Sequence, residues 1–181
     1  MPNINTIDRP VSLVGTGRSG TTLLTNVFRQ HPAFESYGET ANLLFPSYYY
    51  AEKCLPFCRP KINNDNAAEH ATIATRAMLN GVFPDEKEYW FHKPIMIPSV
   101  RRNFDNFELF ASWYWQTYKN LFPEAYTMTV IRRPESVIAS YMRRWGQTIE
   151  QASSNYKFTY CLLYTSPSPR DATLSRMPSS A

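Results

Sequence analysis

Residues 10–24, "PVSLVGTGRSGTTLL", restrict the fold more than any other stretch of the chain. A short apolar run ends in a turn with glycine at positions 15, 17 and 20. Beyond it, Leu23, Leu24, Val27 and Phe28 fall at helical spacing. Strand, glycine turn and helix in that order open a βα unit. Gly15 and Gly20 have the spacing of G-x-x-x-x-G-K-[ST], the loop that cradles nucleotide phosphates. Thr22 suits the last position of that pattern, but Thr21 stands where it has lysine. The start of the helix still presents backbone N–H groups and a positive dipole end. Arg18 adds a full charge, and Thr21 and Thr22 add hydroxyls. Residues 17–22 are therefore predicted to bind a phosphate-like group that needs no Walker lysine.

Further along, His31-Pro32 closes the first helix, because the residue before proline resists helical backbone. Residues 33–62, with "PSYYY" and two further prolines, read as an irregular aromatic loop placed to cover a site. "NNDNAAEHATIATRAMLNGVF" is a helix with Asn/Asp at its start and Gly81 near its end. "EYWFHKPIMIP" fits a short buried strand stopping at Lys93-Pro94. "NFELFASWYWQTYKNLFP" is a strongly apolar helix whose aromatics belong to the core. "AYTMTVIRRP" alternates and then turns continuously apolar, which suits a central parallel strand. "PESVIASYMRRW" starts a helix with Pro134 in its first turn and Glu135 beside it. Strands alternating with helices predict an α/β domain, a P-loop-like three-layer fold around a central parallel sheet. In such sheets ligands bind beyond the carboxyl ends of the strands. Arg18–Thr22, Lys93 and Arg132-Arg133 all fall at that edge.

Charge and composition remove several function classes. The 181 residues carry a net charge of +4 with no block of Lys and Arg, which argues against nucleic acid as a partner and for a basic pocket. No apolar run approaches the ~20 residues of a membrane span. No basic-then-apolar leader precedes residue 10. If Met1 is the true start, the chain is expected to be cytoplasmic. Cys54 and Cys58, in "CLPFC", lack companions for a zinc site and read as ordinary thiols.

From Cys161 onward the texture changes to "CLLYTSPSPRDATLSRMPSSA", rich in Ser, Pro and Arg and without amphipathic period. This stretch resembles the conceptual translation of a sequencing adapter. The domain is accordingly expected to occupy residues 1–160 and to be incomplete at its C-terminus, with residues 161–181 a disordered, adapter-derived tail.

A second cluster lies in "IRRPESVIASY". Arg132 ends a strand and Ser140 follows eight residues later, about two helical turns on. An arginine fork and a hydroxyl suit a phosphate dianion, although Arg-Arg-Pro alone fits a solvated strand end equally well. Taken in order, the two clusters resemble the sulfotransferases that use 3′-phosphoadenosine 5′-phosphosulfate (PAPS). "RSGTTLLTNVFRQHPAF…GET" is especially similar to the "RSGTT" branch that includes the tyrosylprotein sulfotransferases. The resemblance spans roughly residues 10–145.

The resemblance implies that Arg18, Ser19, Gly20, Thr21 and Thr22 hold the 5′-phosphosulfate and that Arg132 and Ser140 hold the 3′-phosphate. It implies Glu39, in "YGET", as general base, and Lys93 with Arg18 as the cations of the transition state. PAPS would be the co-substrate, with no metal. His92 is the local rival for the base, but its place in a strand beside Lys93 favours a packing role. His31 and His70 read as structural. The acceptor class stays open among carbohydrate, protein tyrosine, lipid and small alcohol. Two alternatives are a P-loop nucleotide kinase or NTPase, against which Thr21 argues, and a nucleotide-binding domain without turnover. The family's C-terminal glycine- and basic-rich loop has no counterpart in residues 1–160.

Overall fold

A computed structural model of the chain describes residues 9–59, 61–83, 87, 89–94 and 98–165. Its centre is a parallel sheet of four strands: β1 (Val11–Gly15), β2 (Phe34–Glu39), β3 (Tyr89–Lys93) and β4 (Tyr126–Val130), in the order β2-β3-β1-β4. Among the described residues six α-helices accompany it: α1 (Thr21–Gln30), α2 (Ala41–Cys58), α3 (Ala67–Val82), α4 (Phe107–Leu121), α5 (Pro134–Trp145) and α6 (Ile149–Tyr164). None of them is long and apolar enough to cross a membrane. The α/β class with a central parallel sheet is as the sequence predicts.

The period-2 geometry of β1 and β3 divides the core into two layers. Val11, Leu13 and Phe91 face one side, where Leu24 and Phe28 of α1 pack on them. Val14 and Trp90 face the other side and join the larger core of α2, α3 and α4. Leu23 and Val27 of α1 remain exposed, so only half of that helix's apolar face is used. Trp90, Phe91, Phe110 and Phe122 are essentially without solvent contact. Each such side chain contributes about 1.5–3 kcal/mol by burial, so the aromatics of α4 act as core, as expected.

Two expectations are corrected. Residues 33–62 are not an irregular loop: they form β2 and the long helix α2, with Pro46 and Pro56 inside it. The prolines weaken helical propensity locally, but burial of Ala41, Leu44, Phe45 and Tyr48 on one side of the segment outweighs it. Nor is β4 a central strand. Among the described strands it pairs only with β1, and Tyr126, at 65% exposure, faces solvent. An alternating apolar pattern reports which residues favour burial, not how many neighbours a strand acquires.

At the far end, a capping box at Thr148 and Gln151 starts α6. The helix continues past Tyr160 to Tyr164, where Leu162 is buried and its carbonyl accepts from the Trp115 indole at 2.9 Å. From residue 166 on, the stretch read as a disordered tail lies outside the described residues.

Candidate functional site

The glycine turn after β1 is held by close contacts that exclude larger residues. A Cβ on Gly15 would lie 2.9 Å from the Val130 carbonyl of β4, and one on Gly17 would lie 2.5 Å from the Tyr141 hydroxyl. The Ser19 hydroxyl donates to the Thr16 carbonyl at 2.6 Å, and its backbone N–H reaches the same oxygen at 3.3 Å. Ser19 is buried, so here it shapes the loop. Arg18 adopts left-handed backbone at φ 64°, uncommon for a side-chain-bearing residue, and Gly20 follows at φ 105°. Together they set the turn from β1 into α1. No side chain caps that helix, and its first turn contains no acidic residue. The first helical N–H groups, at Thr21 and Thr22, are thus left without a side-chain acceptor, the arrangement that favours an anion at a helix start. Thr21 is buried and Thr22 exposed. Amides and hydroxyls thus gather at the start of α1 with no carboxylate in its first turn.

The second predicted cluster meets the first directly. Arg18 Nε donates to Ser140 Oγ at 3.0 Å, and Arg132 Nη1 donates to the Arg18 carbonyl at 3.1 Å. The chain segments involved lie more than a hundred residues apart in sequence. Pro134 at the first turn of α5 and the parallel pairing of β4 with β1 deliver Arg132 and Ser140 to the loop. The Arg18 guanidinium also lies 5.8 Å from the Trp145 ring centroid, within cation–π range.

Glu39 and Lys93 form the third component. Lys93 Nζ is 3.2 Å from Glu39 Oε1; the lysine side chain is only 9% exposed, whereas the glutamate is 52% exposed. A register shift brings them together. Ser36 pairs with Phe91 and Glu39 with Lys93, so β2 carries one extra residue between those rungs. Such a bulge re-aims side chains at the end of a strand. Without it, Gly38 would stand opposite Lys93.

Tyr141, Trp145, Thr40 and Ser12 are contributors the sequence reading did not single out. Burial pushes the Tyr141 phenol up. Arg18 and a hydrogen bond from the Gly17 backbone oppose that shift, and the Glu39 carboxylate adds to it. Tyr141 therefore senses both the Arg18 cluster and Glu39. Its only sequence signal is adjacency to Ser140. His92 is fully buried, and desolvation lowers its pKa to about 3. It packs against Trp90 and Phe122, as the packing reading expects, and it also makes hydrogen bonds that spacing does not reveal. Cys54 and Cys58 are free and exposed on α2.

Residues 10–166 match the family model described as "Sulfotransferase family". No curated protein matches the sequence. Among solved structures, the chain is similar to the sulfotransferase domain of the Synechococcus PCC 7002 olefin synthase. The TM-score is 0.54 and the identity 17%, over 90% of this chain and 61% of that one. That likeness concerns the fold. The chain spans 61% of the length of the domain it resembles.

Proposed function

The chain belongs to the sulfotransferase family, and from that membership we propose that it transfers a sulfuryl group from PAPS to a hydroxyl or amine acceptor. Within the family we assign it to the "RSGTT" branch, on the strength of Arg18–Thr22 and of Glu39 in the following "GET". The observation that carries the reading is the bond between Arg18 and Ser140. It joins a phosphosulfate-type cradle to an arginine–serine pair suited to a second phosphate. Two anion subsites side by side match a nucleotide with phosphate on both its 5′ and 3′ sides.

In this reading the amides and hydroxyls at residues 20–22 hold the 5′-phosphosulfate, and Arg132 with Ser140 holds the 3′-phosphate. Glu39, more open than its partner, accepts the acceptor's proton as the new S–O or S–N bond forms. The bridging S–O bond breaks, and 3′-phosphoadenosine 5′-phosphate leaves. Lys93 and Arg18 offset the charge that builds on the departing oxygen, a role for preorganised cations in a partly dry site. A lysine of the Walker type serves a magnesium-bound triphosphate; a single sulfonated phosphate makes no such demand, which fits Thr21.

Calorimetric titration tests the reading. After circular dichroism shows a folded sample, 3′-phosphoadenosine 5′-phosphate, AMP and Mg-ATP are compared. Charge-assisted bonds to the 3′-phosphate are expected to favour the first over AMP by about 10- to 100-fold. Arg132→Ala should remove most of that preference. A preference for Mg-ATP refutes the assignment.

A further inference from the structure

A run of buried polar groups crosses the sheet behind the site and takes no part in the chemistry described above. The Tyr118 hydroxyl, on α4, donates to Ser12 Oγ on β1. Ser12 Oγ lies 2.6 Å from His92 Nε2 on β3. His92 Nδ1 lies 2.7 Å from Thr40 Oγ1 at the head of α2. All four residues are buried. Burying polar groups is costly unless each is satisfied, and an all-apolar set would fill this layer at lower cost.

Tyr118 donates to Ser12, whose hydroxyl keeps both a proton and a lone pair for Nε2. The neutral ring donates through one nitrogen and accepts through the other, so it bridges Ser12 and Thr40 in either tautomer. Burial keeps the imidazole neutral at ordinary pH, its pKa lying at about 3. Trp90 and Phe122 hold the ring plane, with centroids at 4.6 and 5.5 Å.

Thr40 supplies the second observation. Threonine at a helix N-cap ordinarily bonds its hydroxyl to the first-turn amides, at a gain of ~1 kcal/mol. Thr40 is the N-cap of α2, yet it makes no such bond; its hydroxyl is spent on His92. Its backbone N–H goes to the Lys93 carbonyl at 3.0 Å. Residues 39–40 are thus laced to residues 92–93 three times: backbone to backbone, Thr40 to His92, and Glu39 to Lys93. This lacing sits just beyond the bulge, where the regular ladder is interrupted.

We propose that His92 is a positioning residue, tying Ser12 to Thr40 so that Glu39 stays in register with Lys93. The inference rests on the roles given above to Glu39 and Lys93. Ser12 belongs to the strand that feeds the glycine loop, so the same run of bonds relates the base–cation pair to the anion cradle.

Thr40→Val, which keeps the shape and removes the hydroxyl, tests this in the full chain, with Thr40→Ser as the conservative restoration. Three quantities are read: affinity for 3′-phosphoadenosine 5′-phosphate, kcat and KM for transfer, and the rate at which an N-hydroxysuccinimide ester acetylates Lys93, followed by mass spectrometry. Thr40→Val is expected to lower kcat by about tenfold or more, since small misplacements of reacting groups are costly, with nucleotide affinity within about twofold. Acetylation of Lys93 should accelerate by roughly threefold or more as the strand end loosens. Thr40→Ser should restore both. Unchanged kcat together with unchanged Lys93 labelling overturns the proposal, and so does a Thr40→Ser variant as impaired as Thr40→Val. If the parent chain transfers no sulfuryl group, kcat cannot be read and Lys93 labelling decides alone, faster in support and unchanged against; the functional reading stands or falls separately, on nucleotide affinity. Should Thr40→Val not fold, Ser12→Ala removes the far end of the same run and is read by the same criteria.

Discussion

Acidifying the medium should unfold this protein through one side chain in particular, His92. Its ring is fully buried and desolvation lowers its pKa from 6.5 to about 3. The unfolded chain binds the extra proton near pH 6.5, whereas the native ring refuses it until near pH 3. The His92 contribution is therefore complete above pH 6.5 and is lost progressively as pH falls towards 3. Integrating this linkage gives a loss of about 2 kcal/mol between pH 7.5 and pH 5, and of about 5 kcal/mol at the acid limit. Urea denaturation of the parent chain and of His92→Gln at pH 7.5 and pH 5 measures it, because the other titrating groups are common to both. The parent chain should lose about 2 kcal/mol more than the variant over that interval, or roughly 4–8 °C in Tm for a chain of this size. Equal pH dependence in the two proteins would mean that the native ring takes up a proton as readily as the unfolded one, and the neutral bridge between Ser12 and Thr40 would have to be abandoned.

Glu39→Gln should reduce single-turnover transfer by roughly 10²- to 10⁴-fold while leaving the affinity for 3′-phosphoadenosine 5′-phosphate nearly unchanged; undiminished turnover would remove Glu39 as the base. Gly15→Ala should cost about 1–3 kcal/mol in denaturant titration, because the new methyl meets the Val130 backbone carbonyl at 2.9 Å and a β4 carbonyl cannot rotate away. Wild-type stability in that variant would show that β1 and β4 separate more easily than their pairing suggests.

Local chemistry was legible from the chain itself wherever the determinants lie within a few residues of each other. The turn at Gly15–Gly20 follows from glycine spacing, the end of β3 from Lys93-Pro94, and the start of α5 from Pro134 and Glu135. The α4 aromatics announced a buried helix, and they form one. Helix α2 was not legible, because Pro46 and Pro56 speak against a helix locally while Leu44, Phe45 and Tyr48 gain their burial only once α3 and α4 are beside them.

The alternation of strands and helices, and the glycine loop that replaces a lysine with Thr21, belong to the sequence by itself, since backbone sterics and hydrophobic period act over single turns and pleats. Tertiary structure alone decided the neighbours: β4 at the sheet edge, Arg18 against Ser140, the bulge that sets Glu39 opposite Lys93, and the imidazole of His92 between Ser12 and Thr40. Those outcomes depend on strand order and register. Both are settled by the packing of the whole sheet against its helices, which no local window of residues contains.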